Sequence, residues 1–532
     1  MQEKFTLKLL PAEAASDTHL RQYAASHLGV PVKDITGYNI LKRSIDARSR
    51  QPWVLLTINA FVQEPFRQTP VQTIPLQDVS RSRHKVVVVG AGPAGLFAAL
   101  ALIEQGIQPI VLERGKDVRA RRRDLAQLNK EGIVNPESNY CFGEGGAGTY
   151  SDGKLYTRSN KRGDVDRILN ILVQFGADTN ILSDAHPHVG TNKLPQIITA
   201  MRAAIVEHGG VFLFGKKVTE LLISDNSIKG VGTADGDRFM ADAVILATGH
   251  SARDIFTLLH QQHILIESKP FALGVRVEHP QQLIDQLQYH CTVRDSFLPP
   301  ASYSLVQQVD NRGVFSFCMC PGGIIAPAAT SPGELVVNGW SPSKRNNPYA
   351  NSGMVVAVED KDFAGLQKQF GPLAAMEFQR AVEAKAFQAG GGHFVAPAQR
   401  MVDFAEGKLS ASLPDCSYLP GLRSAPLQEV LPGFIHQALR QALREFGKKM
   451  RGRPGMPGYF TNEAVLVATE SRTSSPVRIP RDPESLQHPQ VSGLYPCAEG
   501  AGYAGGIVSA AMDGERVAVR IAAILGITRN RL

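Results

Sequence analysis

The segment VVVVGAGPAGLFAALALIEQGIQPIVLE, residues 86–113, decides the fold of this chain. Its opening run of four valines is typical of a strand that is buried on both faces. The turn GAGPAG follows at residues 90–95, and an Ala/Leu-rich stretch of helical length comes next. A second apolar run then ends at Glu113. This order predicts a strand–helix–strand unit that carries a dinucleotide-binding fingerprint.

Each part of the fingerprint has a physical role. Gly90 permits a tight turn, Gly92 lets the backbone approach a pyrophosphate, and Gly95 lets the helix pack closely on the strand. The free N–H groups at the start of the helix attract phosphate. A carboxylate at the end of the second strand can accept hydrogen bonds from ribose hydroxyls. The unit therefore predicts these nucleotide-binding residues: Gly90, Gly92, Pro93, Ala94, Gly95, Glu113 and Arg114.

Two other interpretations of the segment are less consistent with it. A glycine-rich turn that binds nothing needs neither the strand before it nor the acidic residue after it. A membrane span would suit the uncharged residues 86–103, but three glycines and a proline interrupt them and no aromatic belt flanks them. We therefore expect a nucleotide-binding core and no membrane span.

The whole-chain composition is that of an ordinary globular protein. Its 532 residues exceed what one hydrophobic core usually holds, which predicts two or three domains. The net charge of +8 is modest, and its one dense cluster, Arg119 and Arg121–Arg123, is either a solvated helix face or a screen for a diphosphate. The N-terminus carries no export signal and six cysteines make no disulfide framework, so a cytoplasmic location is expected.

The chain divides into four segments by pattern. We predict a small N-terminal α+β domain over 1–80, a nucleotide-binding domain in two parts over 81–269 and 465–532, and an inserted substrate or cap domain over 270–464. The fold class is therefore α/β, a Rossmann-like domain with a central parallel sheet that carries a β-rich α+β insertion. Basic residues from Lys42 to Arg50 in the first domain suit either an RNA contact or, more commonly, a solvated surface.

Further glycine-rich segments follow the fingerprint. The loop 141–154 contains Gly145, Gly146 and Lys154 and permits close approach to a flat or phosphorylated ligand, unless it is only a flexible surface loop. A predicted strand from Phe239 ends in the sequence ATGH. Late in the chain, residues 493–507 predict a strand, a glycine loop and the start of a helix whose N-terminus can polarise a ligand.

Together these motifs resemble the three markers of FAD-binding flavoproteins of the glutathione-reductase type. The resemblance implies that the fingerprint holds the FAD pyrophosphate and that Glu113 holds the adenosine ribose. It implies that the backbone of Val218 meets adenine and that the late segment lies along the ribityl chain and the flavin ring. The residues that it adds to the predicted site are Val218, Ala247, Thr248, Gly249, Glu499, Gly500, Gly505, Gly506 and Ile507.

More narrowly, the segments EGGAGTYSDGKL, FCMCPGG, ESRTSSPVRI and AEGAGYAGGIVSAAMDG are similar to a bacterial family of FAD-dependent dehydrogenases without an assigned substrate. That family carries an extra N-terminal domain. The resemblance implies an oxidoreductase that holds FAD non-covalently and moves a hydride to or from a small-molecule substrate. No CxxxxC or CxxC pair accompanies the flavin loop and residues 270–460 contain no second clear GxGxxG, so we expect that NAD(P)H docks transiently or that the substrate itself donates the hydride.

The catalytic candidates come from residue type and place. Arg472 and Arg478 can clamp a carboxylate, although a surface turn with ordinary ion pairs is an equal alternative. Cys497 lies near the predicted flavin, and His250 and His393 can transfer protons near neutral pH. The predicted catalytic residues are Arg472, Cys497 and His393.

Two further side-chain pairs and two alternative functions follow from the sequence. Cys318 and Cys320 form a CxC pair that is either redox-active or simply buried. His186 and His188 lack a third ligand, so no metal site is predicted. The alternatives to a small-molecule oxidoreductase are an FAD-dependent RNA-modifying enzyme, which makes nucleic acid an unfavoured partner, and a non-enzymatic flavin redox sensor.

Overall fold

The computed structural model describes residues 1–157 and 163–527 of the chain. The end of the last predicted segment, 528–532, lies outside the described residues. Within the described ranges the strands are β1 (Gln2–Leu9), β2 (Ile35–Asp46), β3 (Trp53–Val62), β4 (Lys85–Val89), β5 (Gln108–Glu113), β6 (Val211–Phe214), β7 (Val218–Ser224), β8 (Ser227–Thr233), β9 (Arg238–Met240), β10 (Ala243–Leu246), β11 (Glu267–Ser268), β12 (Phe271–Pro280), β13 (Val306–Val309), β14 (Arg312–Cys320), β15 (Ile324–Pro327), β16 (Val337–Trp340), β17 (Tyr349–Val358), β18 (Ala396–Arg400), β19 (Leu422–Ser424), β20 (Val465–Glu470), β21 (Val477–Arg478) and β22 (Leu494–Pro496). The helices are α1 (Pro11–Ala14), α2 (Asp17–Leu28), α3 (Pro93–Glu104), α4 (Val118–Glu131), α5 (Val165–Gln174), α6 (Leu194–Glu207), α7 (Arg253–Gln261), α8 (Gln281–Tyr289), α9 (Ala364–Phe370), α10 (Ala374–Ala389), α11 (Met401–Glu406), α12 (Leu427–Val430), α13 (Gly433–Lys449) and α14 (Ile507–Ile524).

The first three strands form an antiparallel sheet in the order β1-β3-β2. The sequence pattern predicts a strand over 4–10, a helix over 18–28 and a strand over 54–62, which correspond to β1, α2 and β3. It does not predict β2, because the polar and basic residues of β2 conceal its alternation. An edge strand that leaves much of its surface exposed needs no apolar alternation. The backbone of Arg43 in β2 exchanges hydrogen bonds with Ser183 and Ala185, which ties this sheet to the rest of the protein.

The fingerprint lies in a five-stranded sheet in the order β22-β10-β4-β5-β6, and all of its strands are parallel. This confirms the predicted mixed α/β fold with a parallel sheet. Helices α3 and α14 pack against each other beside the sheet, and both bury most of their side chains. None of the helices in the described part of the chain has the length and apolar character that a membrane span requires.

One predicted strand is two strands. The sequence pattern joined Phe239 to Ala247, whereas the structure places β9 in a small antiparallel sheet with β7 and β8, and β10 in the parallel sheet. Asp242 separates them, and its carboxylate accepts a hydrogen bond from the backbone N–H of Lys85. The chain changes sheet at this polar residue, which hydropathy alone does not indicate.

A seven-stranded mixed sheet fills the inserted region, in the order β13-β14-β17-β12-β20-β18-β19. Helices α10 and α13 contribute buried apolar side chains to its core. The predicted boundary at residue 465 falls at the start of β20, and β20 pairs with β12 and β18 of this sheet. The polypeptide leaves the seven-stranded sheet only after Glu470. The residues that follow therefore lie between this sheet and the five-stranded parallel sheet.

Candidate functional site

A cavity, here called the main cavity, opens at the carboxyl ends of the parallel strands β4, β5 and β10. Open α/β sheets bind their ligands at this edge. Most of the predicted cofactor-binding residues line the main cavity, although they come from distant parts of the chain. These are Gly90, Gly92, Pro93, Ala94, Glu113, Arg114, Gly146, Val218, Ala247, Thr248, Gly249, Glu499, Gly506 and Ile507.

Two helices begin at the main cavity. Helix α3 starts after Gly92 and helix α14 starts after Gly506, and in the described part of the chain no side chain caps either start. The first N–H groups of an uncapped helix have no partner within the helix and carry partial positive charge. Two such termini at one cavity form a site suited to an anionic ligand.

The three glycine motifs touch one another through their backbones. A Cβ on Gly90, whose φ is +103°, would lie 2.5 Å from the carbonyl oxygen of Ala247, and one on Gly500 would lie 2.7 Å from that of Gly249. These approaches leave no room for a side chain. The glycines therefore join the fingerprint, the ATG segment and the late segment into one wall.

The wall fits FAD by two further observations. The hydroxyl oxygen of Thr248 is buried without a hydrogen-bond partner among the described residues, and it lines the main cavity. Apart from the adjoining residues of the chain, no described atom lies within 4 Å of the point where a Cβ would stand on Gly249 or Gly506. An unpaired buried hydroxyl is costly unless a ligand or water satisfies it. The main cavity thus has both space and an unmet polar group.

Glu113 makes three hydrogen bonds within the protein that the sequence does not predict. Its carboxylate accepts hydrogen bonds of 2.9 Å from the backbone N–H groups of Ala91, Gly115 and Gly143. Three bonds use most of the acceptor capacity of a carboxylate. Glu113 therefore fixes the fingerprint against the loop 141–154, and one acceptor position remains for a ribose hydroxyl.

Arg121 is the main residue that sequence reasoning misinterpreted. It is fully buried and neither a solvated face nor a diphosphate screen. Its guanidinium donates to the carbonyl oxygens of residues 139, 140, 144 and 146 at 2.8–3.0 Å and to the hydroxyl of Thr149 at 3.3 Å. Arg121 thus holds the glycine-rich loop in the shape that lines the main cavity. The sequence shows a cluster of arginines, but it does not show which of them is buried.

The remaining predicted cofactor residues lie outside the lining of the main cavity: Gly95, Gly145, Lys154, Gly500 and Gly505. A Cβ on Gly95 would lie 1.9 Å from the carbonyl oxygen of Gly90, so Gly95 serves helix–strand packing. One on Gly145 would meet Thr149 and Ile198. The ammonium of Lys154 donates instead to the carbonyl oxygen of Met319 and lies 3.7 Å from a carboxylate oxygen of Asp152.

Arg472 lines the main cavity but its guanidinium is already occupied, so it does not clamp a substrate carboxylate as predicted. It donates to Glu383 at 3.0–3.1 Å, to Glu334 at 2.8 Å and to Thr330 at 2.7 Å. Arg253 of α7 binds the same two carboxylates at 2.8 and 2.9 Å. The four side chains form a buried network, here called the charge cluster, which joins α7 to the inserted region.

Cys497 and His393 do not reach the main cavity. Cys497 is buried, its sulfur lies 3.7 Å from a carboxylate oxygen of Asp513, and burial raises the pKa of its thiol. A raised pKa opposes the thiolate that a nucleophile needs. His393 is exposed in the turn after α10. The structure therefore brings neither predicted residue to the main cavity, since neither the residue type of His393 nor the proximity of Cys497 to Glu499 in the sequence fixes where the side chain lies.

A second pocket, here called the cap pocket, adjoins the main cavity. It lies between the glycine-rich loop and the inserted sheet, and its walls include Tyr140, Tyr150, Trp340 and Glu470. Seven residues line both spaces: Cys141, Ala147, Ser151, His250, Cys318, Asn338 and Arg472. Burial lowers the pKa of His250 to about 4, so its imidazole is neutral at neutral pH.

Four family models match parts of the chain. They are described as an FAD dependent oxidoreductase over residues 187–323, an FAD binding domain over 83–130, an FAD-dependent protein, C-terminal domain-like over 270–473, and a domain of unknown function over 1–61. The FAD binding domain model covers the fingerprint, and the FAD dependent oxidoreductase model covers the ATG segment. The third covers the inserted sheet as far as Thr473.

Similarity to individual proteins is strong in one case and partial in another. An uncharacterized protein of Clostridium beijerinckii is 39% identical over 522 residues, which are 94% of this chain and 95% of that protein. The tRNA uridine 5-carboxymethylaminomethyl modification enzyme MnmG of Alkaliphilus metalliredigens is 30% identical over 167 residues, 31% of this chain and 24% of that enzyme. Among solved structures, 2,6-dihydroxypyridine-3-hydroxylase from Arthrobacter nicotinovorans aligns over 84% of this chain and 85% of that one, with 10% identity and a TM-score of 0.35.

Proposed function

This chain belongs to the FAD-dependent oxidoreductase family, and from that premise we propose that FAD lies non-covalently along the main cavity and exchanges a hydride with a small molecule in the cap pocket. The observation that carries the proposal is the pair of uncapped helix starts at Gly92 and Gly506, which face one cavity. A dinucleotide needs compensation for its phosphates, and these termini supply it without any buried cation.

The proposed direction of FAD follows from the lining residues. The adenosine end would lie by Glu113, Lys217 and Val218, and the ring end by Glu499 and Ile507, where residues of the inserted region reach the main cavity. When bound, FAD supplies the two-electron chemistry that no side chain offers. The chain's own residues would hold the phosphates, exclude water from the ring and keep the substrate beside it.

The cap pocket is the proposed substrate site. Tyr140 and Tyr150 meet edge to face with ring centroids 6.4 Å apart, and alanine and valine side chains add apolar surface, while Glu470 and Arg472 add charged groups. Such a lining suits a small apolar or aromatic molecule. His250 is neutral and lies where both spaces meet, so we propose it as the group that takes up or returns a substrate proton. The dehydrogenase direction, transient NAD(P)H and a cytoplasmic location are part of this proposal, the last supported by six free thiols.

Spectroscopy of the purified protein tests the proposal. We expect visible flavin absorbance as isolated or after reconstitution with FAD, and release of intact FAD on denaturation because the cofactor is not covalently bound. Anaerobic addition of NADH and then NADPH identifies the reductant by the rate of bleaching. Absence of flavin absorbance after reconstitution would overturn the proposal. A flavin that stays oxidised with both nucleotides would assign the hydride to the substrate.

The two rival interpretations make different predictions for the same sample. The partial match to MnmG suggests an RNA-modifying enzyme as one alternative. Such an enzyme should co-purify with RNA, and the amount of bound RNA should fall steeply as the salt concentration rises. A redox sensor predicts bound FAD without turnover by any donor. The basic strand β2 gives the first of these little support, because Arg43 lies against the body of the protein through its backbone.

Glu499 predicts a pH dependence of stability. Burial raises its pKa from 4.5 to about 7, because the carboxyl group is desolvated beside the main cavity. The folded protein therefore holds this proton over a range where the unfolded chain has lost it. The protonated carboxyl group therefore favours the folded state fully below about pH 4.5. This contribution is lost as the pH rises to about 7, and the free energy of unfolding falls by on the order of 2 kcal/mol.

Chemical denaturation of the apoprotein across this pH range measures the effect. Glu499→Gln should be less dependent on pH than the wild type between about pH 4.5 and 7, since its amide does not titrate. Glu445→Gln, at an exposed position of α13, is the matched control and should keep the wild-type profile. Identical profiles for Glu499→Gln and the wild type would show that Glu499 ionises normally.

A further inference from the structure

Cys318 occupies the junction of the main cavity and the cap pocket. The pairing of β14 with β17 breaks its register between Phe317 and Cys320, and Cys318 has a φ of +45°. A bulge of this kind turns a side chain out of the regular alternation and is common beside active sites. A left-handed non-glycine residue costs free energy and persists where the surroundings impose it. The strand is therefore distorted at the residue that faces both spaces.

The distortion brings two cysteines together. In a regular strand, residues two apart lie about 7 Å apart, at the upper limit for a disulfide. Here the thiol of Cys320 folds back and donates to the carbonyl oxygen of Cys318 at 3.3 Å. Cys320 is fully buried, whereas Cys318 remains partly accessible from the cavities. The pair thus has one exposed and one hidden sulfur.

Two cations flank the pair. Arg276 is fully buried and donates to the carbonyl oxygen of Cys318 at 2.7 Å, and the ammonium of Lys154 donates to that of Met319. The hydrogen bond from Cys320, together with the charges of Lys154 and Arg276, lowers the pKa of Cys318 despite its burial. The same pairing and burial raise the pKa of Cys320. One sulfur is held as a thiolate and the other as a thiol.

We propose that Cys318 and Cys320 form a redox-active pair that exchanges two electrons with FAD bound in the main cavity. This inference rests on the proposed function, because FAD is the electron partner. In the oxidising direction a bond forms between the two sulfurs, the S–H bond of Cys320 breaks, and two electrons and that proton pass to oxidised FAD. The reverse transfer from reduced FAD restores the thiolate and the thiol. Lys154 and Arg276 are positioning residues that keep Cys318 ionised.

A reductive titration of the holoenzyme tests the pair. Protein treated with diamide and freed of excess reagent is titrated anaerobically with dithionite until the flavin is bleached. The wild type should consume about twice the dithionite per flavin that Cys320→Ser consumes, because the disulfide takes a second electron pair. Cys291→Ser, which changes a partly exposed cysteine outside both cavities, should behave as the wild type. Equal consumption by the wild type and Cys320→Ser would overturn the proposal.

A second measurement needs no bound FAD, and its main comparison uses the wild-type protein alone. In reduced wild-type apoprotein at about pH 6.5, iodoacetamide should label Cys318 at least tenfold faster than Cys291, whose pKa burial raises. Diamide should remove two hydrogens from the peptide that contains both Cys318 and Cys320. Lys154→Met should slow the labelling of Cys318 about tenfold and Lys154→Arg should restore it.

The two experiments separate the failure of this inference from the failure of the proposed function. Suppose that Cys318 is labelled rapidly and the disulfide forms, but the protein never binds FAD. Cys318 and Cys320 would then be a reactive pair without an electron partner, and the proposed exchange with FAD would be overturned. FAD binding with labelling of Cys318 no faster than Cys291 would keep the cofactor and overturn the redox pair.

Discussion

Gly92→Ala is expected to give a normally folded protein that binds FAD about a hundredfold or more weakly than the wild type. Gly92 has an ordinary φ of −72°, and a Cβ there would meet only Gly146, at a relaxed 3.9 Å. The added methyl group would project toward the main cavity, at the start of α3 where the pyrophosphate is proposed to lie. Fluorescence titration of the apoprotein with FAD measures the affinity, and thermal denaturation checks the fold.

Gly95→Ala and Gly514→Ala are the matched comparisons. The Cβ of either variant would lie within 2.1 Å of a backbone carbonyl oxygen, that of Gly90 or that of Ala94. Backbone atoms cannot move aside cheaply, so we expect each apoprotein to be destabilised by about 3 kcal/mol. Of the three variants, only Gly92→Ala should weaken FAD binding without lowering the free energy of unfolding. If Gly92→Ala bound FAD like the wild type, the proposed place of the pyrophosphate would be wrong.

Glu383→Leu should destabilise the protein by about 3–5 kcal/mol. Glu383 is fully buried and accepts hydrogen bonds from Arg253, Arg472 and Ser471. Burial by itself would raise the pKa of Glu383, but the guanidinium groups of Arg253 and Arg472 outweigh it and hold that pKa well below its usual value. Its removal would leave two buried cations to share Glu334. Urea denaturation followed by circular dichroism measures the loss in the free energy of unfolding.

A double-substitution cycle identifies the origin of that loss. Glu383→Leu combined with Arg472→Met removes one charge of each sign and should be less destabilised than the sum of the two single variants. Glu445→Gln again serves as the control, because its partner Lys448 and Glu445 itself are largely solvent-exposed and such pairs contribute below about 1 kcal/mol. A loss below about 1 kcal/mol for Glu383→Leu would show that the charge cluster does not hold the inserted region.

The predicted cofactor residues meet at one cavity where the sequence signal comes from the backbone. The fingerprint, the ATG segment and the late glycine loop all line the main cavity, and their glycines are required by contacts between main-chain atoms. Such contacts leave a local mark in the sequence, since only glycine satisfies them. The disagreements concern side chains, namely Arg472, Cys497, His393, Lys154 and Arg121.

By itself the sequence determined the parallel-sheet core and the class of ligand, because residues 86–113 specify strand, turn, helix and helix N-terminus within one short stretch. The tertiary structure alone decided what each charged or nucleophilic side chain does. Lys154 meets Met319 across 165 residues, and Arg472 meets Glu334 across 138. Periodicity and spacing report which face of an element is apolar, but a buried charge takes its role from whichever group the fold brings against it.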